Sequence, residues 1–363
     1  MRYGDRRSLE PKPYVLIPFP ASEPRRRPVE GHHTYDPQRY TGYVELRLHT
    51  LTPLQVASGF FDVLGVSGRE QVVLQHAYRT LNGRRVLVVP ATSLKGAVRS
   101  LVEIISPSCL PVVGYAVRPH APRRLGRCTD IERLCPACSL FGIAGSRHNA
   151  ALGRVLFEDA MVGEVKASSG AAGPTAGGQA AQSPAEVVSS PLLWTAMRPG
   201  RPLPGVYRDR NMAKGRKVYY HRSPARGPDA REALRGQLRL QSRLHISNLS
   251  RAEMGLLLAA MGLHPGFRFA WKLGGGKPVG LGSVEAEVVA VALAAGPGEK
   301  GPDTRGRLGG SLAVQKGEAI ASLVRQWVQA AEHEGLIVRE NLAQLAQALA
   351  RSGLQQPAPQ GPY

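Results

Sequence analysis

Val86-Leu87-Val88-Val89-Pro90-Ala91-Thr92-Ser93-Leu94-Lys95-Gly96-Ala97-Val98-Arg99-Ser100-Leu101 is the stretch that organises the rest of the chain. Its first four residues form a short β run, which stops at Pro90 because proline has no N–H to donate. Beyond it, Leu94, Val98, Leu101 and Ile105 recur at helical spacing. A helix is therefore predicted through Ile105, with Thr92 or Ser93 as its N-cap. Lys95 and Arg99 lie four apart on one face, where like charges repel by a few tenths of a kcal/mol. A phosphate at the helix N-terminus would relieve that repulsion and meet free backbone N–H groups. The competing reading is an ordinary solvated basic face.

Working outward, Gly42 to Leu51 alternates Val44, Leu46 and Leu48 with Glu45, Arg47 and His49, which predicts a half-buried strand. Gly153 to Val162 and Gly236 to Ile246 read as further strands. A helix follows over Asn248 to Met261, capped by Asn248 or Ser250. Phe267 to Leu273 and Ser283 to Leu293 form a last β pair. Apolar residues at helical spacing then recur in Glu318–Ala331 and Glu340–Arg351. This order implies an α+β protein with a ferredoxin-like or RRM-like core, long loops and a C-terminal helical pair. The expected organisation is an extended arm over 1–41 and a core over 42–293. Insertions fall at 106–150, which holds the cysteines, and at 163–235, which is flexible and basic. A linker over 294–315, a helical extension over 316–352 and a tail over 353–363 complete it.

Lys and Arg number 47 against 27 Asp and Glu, a net charge of +20 in 363 residues. Such an excess suits a polyanionic partner. No apolar run approaches the roughly 18 residues of a membrane span, so nucleic acid is expected and a membrane is not. The N-terminal residues lack the long apolar stretch of a signal peptide, and the expected location is cytoplasmic. Between Arg198 and Arg243 stand thirteen Lys or Arg against three acids. Tyr207, Tyr219, Tyr220 and His221 lie among them, and rings amid cations suit single-stranded RNA. Arg216, Lys217 and Tyr219 are the candidates taken from this run. In the loop Gly274–Gly282, five glycines beside Lys277 let the backbone approach a sugar-phosphate chain. Pro278 after Lys277 excludes a nucleotide-binding P-loop. Gly275, Gly276 and Lys277 are its candidate contacts.

Three of the four cysteines fall within eleven residues, which argues for metal over disulfides. Cys135-Pro136-Ala137-Cys138 is half of a zinc knuckle, and Cys128 and Cys109 would close a tetrahedron. His120 and His148 are alternative fourth ligands, and redox use or simple buried thiols are the alternative readings.

Three of these motifs, taken in order, resemble those of the RAMP superfamily of CRISPR-associated proteins. Pro90–Arg99 resembles its first-helix motif P-G-S-S-L-K-G-x-x-R. Cys135-Pro136-Ala137-Cys138-Ser139-Leu140-Phe141-Gly142 resembles its C-x-x-C-x-L-F-G element, and Gly275–Gly282 resembles its glycine-rich loop. The zinc-bearing insertion is similar to that of the backbone subunits of type III effector complexes, ribonucleoproteins of antiviral defence. The resemblance implies CRISPR guide RNA, complementary target RNA and other effector subunits as partners. It implies that Ser93, Lys95 and Arg99 hold the guide backbone, with the 274–282 loop packed against it. It also implies an aspartate, in the loop after the first strand, that cuts target RNA with Mg²⁺ or Mn²⁺. Asp62 in Ser58-Gly59-Phe60-Phe61-Asp62-Val63-Leu64-Gly65 is the acid available there. Two alternatives stand beside this reading. One is a guide-RNA-processing endoribonuclease of the same superfamily, using His49 or His221. The other is a standalone RNA-binding protein.

Overall fold

In the computed structural model, residues 11–29, 31–32, 35–66, 68–111, 117–145, 150–162, 183–191, 205–294 and 312–360 are described. Most of the tract 163–186, the expected linker from 295 to 311, Arg198, Arg201 and His148 lie outside them. Strand β1 (Tyr14–Pro18) opens the described chain, and β2 (Tyr40–Thr50) begins the main sheet. The alternation read in β2 is real: Val44, Leu46 and Leu48 are buried, while Glu45, Arg47 and His49 face outward.

The segment after β2 is a hairpin of β3 (Ala57–Val66) and β4 (Arg69–His76), not a loop. Asp62 therefore sits within a strand, opposite Val73, which corrects its expected loop position. Phe61, Val63, Val72 and Leu74 oppose one another across the hairpin, and such cross-strand apolar pairs support strand over loop. The β run before Pro90 is β5 (Arg84–Val89), and helix α1 (Ala91–Ile105) follows. Neither Thr92 nor Ser93 caps this helix. Pro90 is its N-cap and makes no side-chain bond. Asp159 instead accepts the Ala91 N–H at 2.7 Å, so the cap comes from 68 residues downstream. Leu94, Val98, Leu101, Val102 and Ile105 are buried beneath the sheet. Each such side chain contributes about 1.5–3 kcal/mol.

The short helix α2 (Pro136–Phe141) starts at the C-x-x-C segment. Strands β6 (Val155–Phe157) and β7 (Ala160–Val162) follow, then β8 (Ala185–Ser190), β9 (Gly215–Tyr219), β10 (Asp229–Leu234) and β11 (Arg239–Leu249). Within 163–235, residues 183–191 and 205–235 are described, and both carry strands. Helix α3 (Arg251–Ala260) is capped by Ser250, whose hydroxyl accepts the Glu253 N–H while Glu253 reaches back to Ser250. Asn248 is used elsewhere, accepting from the Asp36 N–H and donating to the Gly31 carbonyl.

Strands β12 (Trp271–Lys272) and β13 (Ser283–Ala294) precede β14 (Ala313–Lys316) and helices α4 (Glu318–His333) and α5 (Arg339–Ala348). The expected strand 267–273 is thus two short pieces, Phe267–Arg268 and β12.

The main sheet runs β12-β13-β2-β11-β7-β5 and ends on the short strand Tyr78–Leu81. Its pairings are antiparallel, with Leu48 between Leu240 and Ala286. A second sheet has the order β8-β10-β4-β3. The molecule is thus a mixed α+β protein with one large sheet and few helices. Helix α3 is buried along almost its whole length and packs on α4. Gly255 is required there, because a Cβ on it would stand 1.9 Å from the Trp327 carbonyl oxygen. No helix among the described residues is long and apolar enough to cross a membrane.

Candidate nucleic-acid interface and metal centre

The first turn of α1, strand β9, the base of the β3–β4 hairpin and the glycine loop enclose a cavity of about 620 Å³. Its walls carry the four cations Lys217, Arg231, Lys272 and Lys277, the hydroxyls of Thr92 and Ser93, and, among the described residues, no carboxylate. Burial disfavours charge on the lysines: Lys217 and Lys277 titrate below the ordinary lysine range. Lys272 is pushed down to about 7, first by burial and then by the charges of Lys277 and Arg222. Of the residues singled out from sequence, Ser93, Lys217, Tyr219, Gly275 and Lys277 meet here.

The glycine loop is a packed wall. Gly275 donates to the Gln55 carbonyl at 2.8 Å, Gly282 to that of Pro53 at 2.8 Å, and Ala225 to that of Val279 at 3.0 Å. Gly276 is left-handed at φ +64° and starts a single 3₁₀ turn over Lys277–Val279. Lys217 stands over three rings, 4.1 Å from the centre of Tyr14, 5.0 Å from Tyr219 and 5.6 Å from Tyr207. These faces hold the ammonium without neutralising it.

Arg99 and Arg216 have a different task. Arg99 Nε donates to Glu103 at 2.9 Å, Nη1 to the Gly142 carbonyl at 2.9 Å, and Nη2 to Cys138 Sγ at 3.6 Å. Arg216 meets the other oxygen of the buried Glu103 as an ion pair. The two arginines therefore clamp β9 to α1 through one carboxylate and are not cavity cations. Lys95 is half-buried outside the cavity lining, and burial followed by Arg99 lowers its pKa.

Sequence reading missed Lys272, Arg231 and Gln55. Lys272 had a signal, as the single charge in the apolar run Phe269-Ala270-Trp271-Lys272-Leu273. A lone lysine in a buried strand calls for a partner or a function.

The sulfurs of Cys109, Cys128, Cys135 and Cys138 lie within 4.8 Å of one another, and all four residues are buried. Cys109 Sγ is 3.5 Å from Cys138 Sγ and 3.6 Å from Cys135 Sγ, too far for a disulfide. Tetrahedral thiolates around an ion at about 2.3 Å stand about 3.8 Å apart, so the four can hold a metal such as zinc. Backbone N–H groups of Cys109 and Cys135 point at the sulfurs of Cys135 and Cys128, each at 3.4 Å. Hydrogen bonds from Cys109 hold the Cys128 and Cys135 thiols low, while the Cys109 and Cys138 thiols are pushed high by Cys128 and Cys109 respectively. His120 is turned to the Asn211 carbonyl at 2.9 Å.

Asp62 is exposed. It accepts from the Val63 N–H at 2.8 Å and from Gln75 Nε2 at 3.2 Å. Among the described residues it belongs to no group of three metal-ligating side chains. His49 is paired with Glu287 at 3.1 Å. His221 is buried between Ser283 Oγ and the Ala270 carbonyl and is pushed down to about 4 by burial and then by Lys272.

Fold and site together define an α+β protein with a cationic cavity, lined by no carboxylate among the described residues, and a four-cysteine cluster. The RAMP superfamily profile matches residues 47–285, and the chain belongs to the RAMP superfamily. No curated protein matches it. Among solved structures it is similar to a chain of a "Type IV-B CRISPR Complex". The identity is 15% and the TM-score 0.31, over 68% of this chain and 90% of that one.

Proposed function

We propose that this chain is a guide-RNA-binding backbone subunit of a type III CRISPR ribonucleoprotein, acting in the cytoplasm with other effector subunits and pairing guide with target RNA. The carrying observation is the cavity with four cations and no carboxylate, built where the superfamily's helix and glycine-loop motifs meet. A ferredoxin-like core is supported by the strand order β13-β2-β11-β7, with α1 and α3 on the two crossovers. The four cysteines would hold a structural zinc ion that ties Cys109, just after α1, to the segment 128–138. Asp62 is the acid proposed for target cleavage. It offers one carboxylate, so Mg²⁺ or Mn²⁺ held there needs further oxygen ligands from the RNA.

Replacing Lys217 and Lys277 together with Ala tests the RNA reading. Binding to unrelated single-stranded RNAs should weaken about equally, and the slope of log affinity against log salt should fall by about 1.4, or about 0.7 per lost phosphate contact. Unchanged affinity and slope would remove the cavity from the interface. Loss confined to one sequence would mean base readout instead.

A further inference from the structure

Lys272 is the deepest cation of the cavity, only 9% exposed. Its amine donates to the Leu281 carbonyl at 2.7 Å and to Ser283 Oγ at 3.1 Å. A neutral amine has two hydrogens, and both are used here. The third hydrogen, gained on protonation, finds no protein acceptor among the described residues and has the cavity beside it. The charged groups around the amine make that protonation costly. Lys277 on the glycine loop and Arg222 beyond β9 are both cationic and lower its pKa. Lys217 and Arg231 line the same cavity, and Arg231 is already held by Asp229. His221, which also contacts Ser283 Oγ, stays neutral at ordinary pH. Among the described residues no carboxylate lines the cavity to supply the missing counter-charge. The same cavity wall carries a second incomplete group: Gln55 is 1% exposed, and among the described residues its Nε2 has no hydrogen-bond partner. A buried amide donor without an acceptor, and a buried amine that lacks one once protonated, describe a site completed by an anionic oxygen.

Resting on the RNA reading above, we propose that a phosphate group of RNA entering this cavity is bound together with a proton taken up by Lys272, its oxygens accepting from the new ammonium hydrogen and from Gln55 Nε2. The proton comes from solvent and stays on Nζ, and no covalent bond changes. RNA grip then tightens as pH falls toward neutrality, because the bound phosphate raises the amine's affinity for its proton. The depressed value of about 7 is consistent with this.

The test is calorimetry of the full chain with a mixed-sequence single-stranded RNA, in buffers of different ionisation enthalpy. Wild-type protein should take up about half a proton per bound cavity at about pH 7 and nearly one at about pH 8. Its affinity should fall about tenfold or more between about pH 7 and pH 8.5. Lys272→Met removes a buried cation and replaces it with an apolar chain of similar length. It should keep its melting transition, lose this proton uptake, and bind with the wild type's weaker high-pH affinity at both pH values. Lys272→Arg, charged throughout, should bind equally tightly at both. If all three proteins bind RNA with the same proton uptake and the same pH profile, the inference is overturned while RNA binding stands. If none binds RNA even at low salt, both readings fail together.

Discussion

Glu103 is the keystone of the contact between α1 and β9, and removing it separates clamp from ligand contacts. It is 6% exposed and receives Arg99 Nε on one oxygen and Arg216 on the other. In Glu103→Ala, Arg99 retains the Gly142 carbonyl and Cys138 Sγ. Arg216 keeps far less, since its Nε is already buried without a hydrogen-bond partner. Its guanidinium would become a nearly unpaired buried charge, which costs about 3–5 kcal/mol. Both arginines are about one-fifth exposed, at 22% and 21%, so water recovers part of that and the lower end, about 3 kcal/mol, is expected. Glu103→Gln keeps the shape but not the charge and should lose about half as much. Replacing Glu103 and Arg216 together with Met should restore most of the stability, because no charge is stranded. Urea unfolding followed by circular dichroism reads all three. A Glu103→Ala loss below about 1 kcal/mol, or a double variant worse than the single, would refute the clamp.

Three other outcomes are expected. Elemental analysis should find one zinc per chain. Cys135→Ser should lose it and lower the melting temperature, and metal-free protein with an unchanged melting temperature would refute the centre. The assembled complex with Asp62→Ala should bind complementary RNA normally and lose one Mg²⁺-dependent cut per copy; undiminished cutting would exclude Asp62. Stability should fall in acid through His76, which is buried and held at about 4, below its ordinary 6.5, chiefly by desolvation. The unfolded chain binds that proton first, so the stabilising effect is complete above about pH 6.5 and is lost as pH falls toward 4, up to about 3 kcal/mol. His76→Gln should flatten this part of the urea midpoint profile, and an unchanged slope would refute it.

The fold was legible wherever periodicity reports burial. Strand β2 and helices α1 and α4 each present one apolar set to the core, and period 2 or 3.6 is the direct image of that. The β3–β4 hairpin was misread because Phe61, Val63 and Val72 face outward, at 66%, 59% and 63% exposed. A strand that leaves its apolar side uncovered carries no alternation of apolar-in and polar-out. The cap of α1 was equally hidden, since Asp159 lies far along the chain and only the folded sheet brings it to Ala91.

In the site, local spacing and spatial assembly part company. The cysteine cluster was legible because three of its four members lie close in sequence, and gathering such neighbours needs little from the fold. The cations were legible only as a class. Lys95, Arg99 and Arg216 carry the same charge as Lys217 and Lys277, yet a buried carboxylate and a sulfur claim both arginines, and Lys95 stays outside the cavity lining. What distinguishes Lys217 and Lys277 is that no carboxylate among the described residues pairs with them. That property belongs to the assembled surface, and no count of charges along the chain contains it. Lys272 shows the converse: its place inside an apolar run marks it as buried, and burial without a counter-ion is what leaves its proton for a phosphate to stabilise.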